Sequence, residues 1–294
     1  MQLQDLASAI KMRWVTRVQS SHAACICVHL FYFEPAAAIA ERIRASGQCD
    51  VIVSVPAGSP CDGKLPEIEK LFIGLPGNVA IARLPNWGDD TLPFMAMLLN
   101  GCFDRYESVC KFHGKMTKRL PDVGRLWFNF MLEEVLIQHP PGGRKQKYPA
   151  GLTGSVPLLG PASLLVTHPV LWADDKEMAS RILAHLDLQL PLDAYPCFFA
   201  GTAFWLQRWL IRKLRGLATF GLREADFGYA ADGKFGHGFE RAVAYVSLIN
   251  GRGIGDQLGG TFFSDFPPGM VPQFLADAFK VPVYNASVVR SDMP

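Results

Sequence analysis

Short apolar runs alternate with helical patterns through the first 115 residues, and this alternation limits the possible folds more than any other feature of the chain. The strand-like runs are continuously apolar, as expected for strands that helices cover on both faces. Strands joined by crossover helices pair in parallel, with right-handed connections. The sequence therefore predicts an α/β fold with a mostly parallel, doubly wound sheet and helices on both faces. The predicted strands lie at 24–32, 49–56, 78–86 and 106–113.

The rest of the chain is less regular. Strands bounded by Gly and Pro are predicted at 154–163 and 195–207, and the main helices at 125–137, 174–188 and 239–249. The sequence has no internal repeat and no low-complexity linker, which favours one two-lobed domain. We divide the chain into an N-terminal helical extension (1–23), an α/β domain with two halves (24–115 and 116–250) and a C-terminal extension (251–294).

Apolar residues near the N-terminus recur at helical spacing from Leu3 to Val18, which predicts a helix. Basic residues beside them leave two interpretations open: a helix packed on the domain, or an amphipathic helix at a membrane surface. No apolar stretch reaches the roughly 20 residues that a membrane span needs. The segment also lacks the apolar core of a signal peptide. We therefore expect a cytoplasmic protein, and peripheral association with the inner membrane stays open.

The composition is typical of a folded globular protein, since 49% of the 294 residues are hydrophobic and 19% are charged. The net charge of +2 is too small for a general nucleic-acid-binding protein. The seven cysteines form no Cys-x-x-Cys pair. They are expected to be buried free thiols in a reducing compartment. Their spacing does not match that of zinc ligands, so we do not expect a zinc site.

Alternating cations end the fourth predicted strand, in the stretch Glu107–Lys115, "ESVCKFHGK". Side chains two residues apart share one face of a strand, so Lys111, His113 and Lys115 are expected to lie together. Clustered cations repel one another unless an anion lies among them. In a parallel sheet the carboxyl ends of the strands border the ligand crevice. We therefore predict a site for a discrete anion here, bordered also by His29, Tyr32 and Asn86.

Two further loops are candidates for binding. The loop 84–94, "LPNWGDDTLPF", leads into a helix, and its Gly88 and Asp90 could position a phosphate or a sugar hydroxyl. The alternative is an ordinary glycine turn whose aspartates cap the helix. In "FFAGTAFW", the small residues Gly201 and Thr202 would let a ligand approach the backbone, with Trp205 beside it; an ordinary core strand is the alternative.

The stretch 232–241, "DGKFGHGFER", contains candidates for proton transfer. A carboxylate near a helix start could take a proton from an attacking hydroxyl, which makes Asp232 the first candidate for a general base. His237 and Glu224 are the alternatives. We interpret the adjacent Glu240 and Arg241 as a local ion pair.

Five stretches together, in this order, resemble the rhamnan synthesis protein F family of bacterial polysaccharide assembly. They span roughly 24 to 250, which is most of the chain, and each is weak alone. The matching stretches are "VHLFY" (28–32), "NWGDDTLPF" (86–94), "YESVCKFHGK" (106–115), "FFAGTAFW" (198–205) and "DGKFGHGFER" (232–241).

The resemblance implies a glycosyltransferase that moves a sugar, with rhamnose from dTDP-rhamnose as the expected donor, onto a cell-surface polysaccharide or lipopolysaccharide glycan. It implies a nucleotide-sugar donor, a glycan or lipid-linked glycan acceptor and other polysaccharide-assembly enzymes as partners. An early nucleotide half and a later acceptor half also resemble the GT-A glycosyltransferase fold. On this hypothesis the donor-binding residues are His29, Tyr32, Asn86, Gly88, Asp90, Lys111, His113 and Lys115, and the acceptor-binding residues are Gly201, Thr202 and Trp205.

Two departures from the related patterns stand out. The family usually has Arg where this chain has Asp89, which puts a phosphate contact from that loop in doubt. GT-A enzymes commonly end the fourth strand with Asp-x-Asp, which holds a divalent metal, whereas this chain has Lys111-Phe112-His113. We therefore expect no required cofactor, with cations neutralising the leaving diphosphate, although a divalent metal stays open. The alternative functions are a non-catalytic carbohydrate-binding or accessory protein and, more distantly, a phosphotransferase-like enzyme.

Overall fold

A mixed β-sheet with helices on both faces forms the centre of the protein. The computed structural model describes residues 1–18, 22–46, 49–114, 120–136, 149, 151–228, 233–256, 261–262 and 271–279. The strands are β1 (Lys11–Thr16), β2 (Ala24–His29), β3 (Asp50–Pro56), β4 (Val79–Leu84), β5 (Ser108–His113), β6 (Leu158–Leu159), β7 (Leu165–Val166), β8 (Phe198–Phe199), β9 (Phe204–Gln207), β10 (Ile254–Gly255) and β11 (Thr261–Phe262). The helices are α1 (Leu3–Ala7), α2 (Ala36–Ser46), α3 (Leu65–Phe72), α4 (Thr91–Leu99), α5 (Pro121–Val135), α6 (Asp175–His185), α7 (Arg208–Leu214), α8 (Phe235–Leu248) and α9 (Gln273–Phe279).

Strand order in the larger sheet is β1-β4-β3-β2-β5-β9-β6-β10-β11, and β7 pairs with β8 separately. The run from β4 to β5 is parallel, as the alternation of strands and helices predicted. The strands that flank this run, β1 and β9, are antiparallel to their neighbours. The sheet is therefore mixed, and the parallel arrangement is confined to its centre and to the β6–β10 pair.

Each face of the sheet has its own apolar core, because successive residues of a strand point to opposite faces. In β2, for example, Cys25 and Cys27 join the core that α1, α4, α6, α7 and α8 cover. Ile26 and Val28 join the core that α2, α3 and α5 cover. All six residues of β2, all six of β5 and five of the six of β4 are buried, which explains why these strands are largely apolar.

The predicted N-terminal helix is wrong beyond Ala7. After the short helix α1, the segment Lys11–Thr16 is an antiparallel strand at the edge of the sheet, with Lys11 opposite Arg83. Trp, Val and Thr favour strands, and the edge of β4 offers backbone partners that a helix could not use. Leu3 is completely buried in the core, so this segment is part of the domain.

Two strands end earlier than the sequence predicted. β2 ends at His29 and β4 ends at Leu84, so that Tyr32 and Asn86 lie in the loops that follow. At the other end of the chain, β10 pairs with β6 through Gly255 and Leu159, so the sheet extends past residue 250. The sequence also indicates a strand at 281–289, "VPVYNASVV", and that stretch lies outside the described residues.

None of the helices in the described part of the chain is both long and apolar enough to cross a lipid bilayer. All seven cysteines are free thiols, and all except Cys102 are buried.

Candidate functional site

Five buried polar side chains converge at the carboxyl end of the parallel strands. We call them the Asp90–Lys111 cluster: His29, Asp90, Lys111, His113 and Thr202. In the parallel register, His29 at the end of β2 lies beside His113 at the end of β5. Asp90 immediately precedes α4, and Thr202 lies in the turn between β8 and β9. The topology therefore brings together residues from four separate parts of the sequence.

Lys111 is almost fully buried, with 2% of its surface exposed, and its ammonium forms an ion pair with Oδ2 of Asp90. The same Nζ donates a hydrogen bond to the carbonyl oxygen of Thr202 at 3.1 Å. A buried ammonium without a partner would cost several kcal/mol in desolvation. Asp90 is therefore the anion that allows a lysine to lie in a buried strand.

The Asp90 carboxylate is held ionised by its neighbours. Burial alone would raise its pKa, but the charges of His113 and Lys111 and the hydrogen bond from Lys111 hold the pKa far below its ordinary value. Nε2 of His113 lies 4.0 Å from Oδ2 of Asp90. The hydroxyl of Thr202 donates to the same oxygen at 2.9 Å. Asp90 is thus an anchor for cations and donors, and a poor proton acceptor.

The two histidines differ in their surroundings. Nε2 of His113 donates to the carbonyl oxygen of Gly201. Nδ1 of His29 lies 3.0 Å from the hydroxyl of Ser54. Burial lowers the pKa of His29 to about 3. The charge of Asp90 acts to raise this pKa, and the charges of His113 and Lys111 lower it further. His29 is therefore a neutral hydrogen-bonding group near pH 7.

The turn between β8 and β9 has an unusual backbone. Gly201 has φ +97° and Thr202 has φ +49°, a left-handed conformation that costs energy for a residue with a Cβ. Both N–H groups donate to one oxygen, Oε1 of Glu240, at 2.7 and 2.9 Å. A Cβ on Gly201 would lie 2.6 Å from Nε1 of Trp127, so only glycine fits there.

The carboxylate of Glu240 is itself part of a buried network. Its other oxygen, Oε2, pairs with Arg241 at 3.1 Å, as the sequence predicted. Arg241 also pairs with the fully buried Asp175 at 3.0 Å. Oδ1 of Asp175 accepts the backbone N–H of Gly233 at 2.7 Å. The ion pair is therefore one link in a buried chain that runs from the 201–202 turn to residue 233.

Asp89, next to the cluster, has a different role from Asp90. Its Oδ1 accepts the N–H groups of Thr91 and Leu92 at 3.0 and 2.8 Å, and so caps α4. Its Oδ2 is buried and has no hydrogen-bond partner among the described residues. Burial, reinforced by the charge of Asp90, raises the pKa of Asp89 to about 7. The capping interpretation of this loop is thus confirmed for Asp89.

Comparison with known protein families finds a match for this chain. The profile of the family described as rhamnan synthesis protein F matches residues 2–251. The chain belongs to this family. No curated protein and no solved structure matches it. Membership assigns the chain to rhamnan and polysaccharide synthesis.

Three residues predicted for the donor side of this family member lie in loops at the same edge of the sheet. Tyr32 is half-buried and packs edge-to-face on Phe31, with ring centroids 4.8 Å apart. Asn86 is exposed, and its Oδ1 accepts the N–H of Gly88 at 3.1 Å. Gly88 has φ +84°, and a Cβ there would lie 3.1 Å from Cα of Gly228. The loop before α4 therefore packs closely against Gly228.

Two of the three predicted proton-transfer residues, His237 and Glu224, lie in the described part of the chain. His237 is half-buried in the first turn of α8, and its carbonyl oxygen accepts a hydrogen bond from Arg241. Glu224 is exposed on a short 3₁₀ helix, Glu224–Asp226. Asp232 and Lys115 lie outside the described residues, although Asp232 directly precedes Gly233.

Trp205 lies behind the site rather than at its surface. It is completely buried in β9 opposite Cys110, and its indole N–H donates to the carbonyl oxygen of Val135 at 2.9 Å. The position fits the alternative of an ordinary core strand.

Sequence reasoning missed the contact of Glu240 with the 201–202 turn and the part of Asp175 in the network. Glu240 is 38 residues from Thr202 along the chain, and Asp175 is 58 residues from Gly233, so no local pattern connects them. The signal in the sequence was Glu240 itself, a carboxylate among the apolar residues of α8. Among the described residues, no group of three or more His, Cys, Asp and Glu side chains is arranged to hold a metal ion.

Proposed function

We propose that this protein is a glycosyltransferase of GT-A-like fold that moves a sugar, expected to be rhamnose from dTDP-rhamnose, onto a glycan. The observation that carries the proposal is the Asp90–Lys111 cluster, a buried set of cations and donors at the carboxyl end of parallel strands. Family membership supports it, because the family acts in rhamnan and polysaccharide synthesis. Ligands of open parallel sheets bind at this edge.

The leaving group in this reaction is a nucleoside diphosphate, which gains negative charge as the bond to the sugar breaks. A buried ammonium is well suited to stabilise that charge, because the surroundings screen it little. Lys111 is held in place by Asp90 and by the carbonyl oxygen of Thr202. We assign Lys111 and His113 to the diphosphate, with the ammonium shared between Asp90 and the bound anion.

The loops after β2 and β4 supply the remaining donor contacts in this proposal. Asn86, Gly88 and Tyr32 lie at the rim, where exposed polar groups and bare backbone are accessible to a nucleotide or sugar. Neutral His29 supplies hydrogen bonds rather than charge. Lys115 is assigned to the same side from its place in the sequence.

Attack by the acceptor requires a group that takes the proton of its hydroxyl. Asp232 is the proposed base, with His237 and Glu224 as alternatives. Gly233, which follows Asp232 in the sequence, donates its backbone N–H to the buried Asp175. We assign Gly201 and Thr202 to the acceptor side, and Trp205 to the buried core, where its indole N–H donates to the carbonyl oxygen of Val135.

The test is the release of dTDP from dTDP-rhamnose by the purified protein, with and without EDTA, followed by a thermal-shift screen of other nucleotide sugars. Release that EDTA leaves unchanged supports transfer with protein cations at the diphosphate. Release that EDTA abolishes replaces the cation assignment with a metal. Donor binding without release supports the alternative of a non-catalytic carbohydrate-binding protein, and no binding by any nucleotide sugar overturns the proposal.

Residue assignments are tested by single substitutions with the same assay. We expect Lys111→Ala and His113→Ala to weaken donor binding and Asp232→Asn to lower turnover while donor binding persists. Unchanged donor affinity in both cation variants contradicts the diphosphate assignment. Full activity in Asp232→Asn contradicts its role as the base, and His237→Asn and Glu224→Gln then decide between the alternatives.

A further inference from the structure

We propose that Glu240 is a positioning residue that sets the place of Lys111 through the 201–202 turn. The proposal rests on the function proposed above for its effect on turnover, but its structural part stands independently. Glu240 does not touch Lys111. It binds the backbone of the turn, and the turn binds Lys111.

The first step of the argument is the backbone of the turn. Successive backbone N–H groups of a turn can point to the same side and form a small anion-binding concavity. In Gly201 and Thr202 this concavity is filled by Oε1 of Glu240. Hydrogen bonds to an ionised carboxylate are about twice as strong as neutral ones. They offset the strain of a left-handed threonine.

The second step is what the turn holds on its other side. The carbonyl oxygen of Thr202 accepts from Nζ of Lys111, and its hydroxyl donates to Asp90. The carbonyl oxygen of Gly201 accepts from His113. Three of the polar contacts of the Asp90–Lys111 cluster therefore come from two residues whose conformation depends on Glu240.

The third step is the charge of Glu240. A buried carboxylate needs a compensating cation, and Arg241 supplies it at 3.1 Å. Arg241 is fixed in turn by Asp175 and by the carbonyl oxygen of Leu171 at 3.1 Å. Since Asp175 also anchors Gly233, one buried network holds the turn beside Lys111 and the start of the segment that follows Asp232.

The experiment compares Glu240→Ala and Glu240→Gln with a matched control, Asp50→Ala. Asp50 is also a fully buried carboxylate that accepts a backbone N–H, from Asn78 at 2.9 Å, and pairs with an arginine. It lies at the start of β3, at the opposite end of the strands from the cluster. The control therefore reports the general effect of removing a buried carboxylate.

The readout that does not depend on activity is acetylation of Lys111 by acetic anhydride, followed by mass spectrometry of the folded variants. The wild-type amine is buried and paired, so its labelling is slow. We expect Glu240→Ala to speed labelling of Lys111 at least tenfold relative to Asp50→Ala. Glu240→Gln keeps an acceptor oxygen for both N–H groups, and we expect it to restore most of the protection. Equal labelling in Glu240→Ala and Asp50→Ala overturns the proposal.

The second readout is turnover of the sugar nucleotide that the wild-type protein uses. We expect Glu240→Ala to lower kcat at least tenfold more than Asp50→Ala does. When Lys111 is already alanine, we expect Glu240→Ala to cause no further loss of kcat. Additive losses would mean that Glu240 acts independently of Lys111 and would overturn the positioning role. If the wild-type protein releases no nucleotide, the glycosyltransferase proposal fails, and the labelling result still decides the role of Glu240.

Discussion

Lys111 and Asp90 form a buried ion pair that joins the end of a core strand to the start of α4. The pair resolves an apparent contradiction in the sequence, where a continuously apolar strand ends in cations. The anion that the cations require is a side chain 21 residues earlier in the chain. The protein therefore carries its own counter-ion at the place where we propose that a diphosphate binds.

Removing one member of this pair should destabilise the protein strongly. We expect Lys111→Met to lower the free energy of unfolding by about 3–5 kcal/mol, because the Asp90 carboxylate is then buried without its main partner. Urea unfolding of the wild type and the variant measures the difference.

The double variant Lys111→Met, Asp90→Asn is the matched comparison for that measurement. It removes both charges, and we expect it to regain at least half of the lost stability. The single variant Asp90→Asn completes the comparison. If Asp90→Asn destabilises Lys111→Met as much as it destabilises the wild type, the two side chains are not energetically coupled.

The centre of the fold could be predicted from sequence because its signals are local. Continuous hydrophobic runs separated by helical patterns identify β2 to β5, and Pro and Gly mark where the elements stop. The edge strand β1 could not be predicted in the same way. Its apolar residues also fit a helical spacing, and only the open edge of β4, a tertiary feature, favours the strand.

The site was predictable as a location and much less so as a set of contacts. The rule that ligands lie at the carboxyl ends of parallel strands groups His29, Lys111 and His113 correctly at one edge. The pairing of Lys111 with Asp90, and of Glu240 with the 201–202 turn, joins residues from distant parts of the chain. Such contacts depend on how distant elements pack together, and no local pattern in the sequence indicates them.

Asp89 should make the protein less stable as the pH rises. Its folded pKa of about 7 lies above the ordinary carboxyl value, so the folded state binds the proton more tightly. The resulting stabilisation is complete below about pH 4 and is lost as the pH rises through about 7. Asp89→Asn keeps the oxygen that caps α4 and removes the titration. We expect the variant to be more stable than the wild type by roughly 2–4 kcal/mol at pH 8.

The measurement is the free energy of unfolding of both proteins between pH 4.5 and 8. The difference between them should grow with pH across this range. A constant difference would mean that the Asp89 carboxyl titrates alike in the folded and unfolded states.

His29 should have the opposite effect. Its folded pKa of about 3 lies below the ordinary imidazole value, so the unfolded state binds the proton more tightly. Its contribution to stability is complete above about pH 6.5 and is lost as the pH falls toward 3. We expect His29→Gln to lessen the loss of stability between pH 6.5 and 4.5.

In NMR spectra of the wild type, the His29 ring should show no titration down to the acid unfolding transition. A titration midpoint near pH 6.5 would contradict its burial as a neutral group.

Gly201 and Gly58 offer a matched pair of substitutions that separates steric exclusion from backbone strain. Both have positive φ, +97° and +73°, so alanine is strained at either position. A Cβ on Gly58 meets no atom within 4 Å, whereas a Cβ on Gly201 would lie 2.6 Å from Nε1 of Trp127 and 2.9 Å from Sδ of Met131. We expect Gly58→Ala to cost about 1 kcal/mol of stability and Gly201→Ala about 3 kcal/mol or more.

Because Trp127 donates to the carbonyl oxygen of Ala200, displacing Trp127 also disturbs the turn that holds Lys111. Gly201→Ala should therefore speed acetylation of Lys111, and Gly58→Ala should leave it unchanged. Equal stability losses in the two variants would show that strain alone governs position 201.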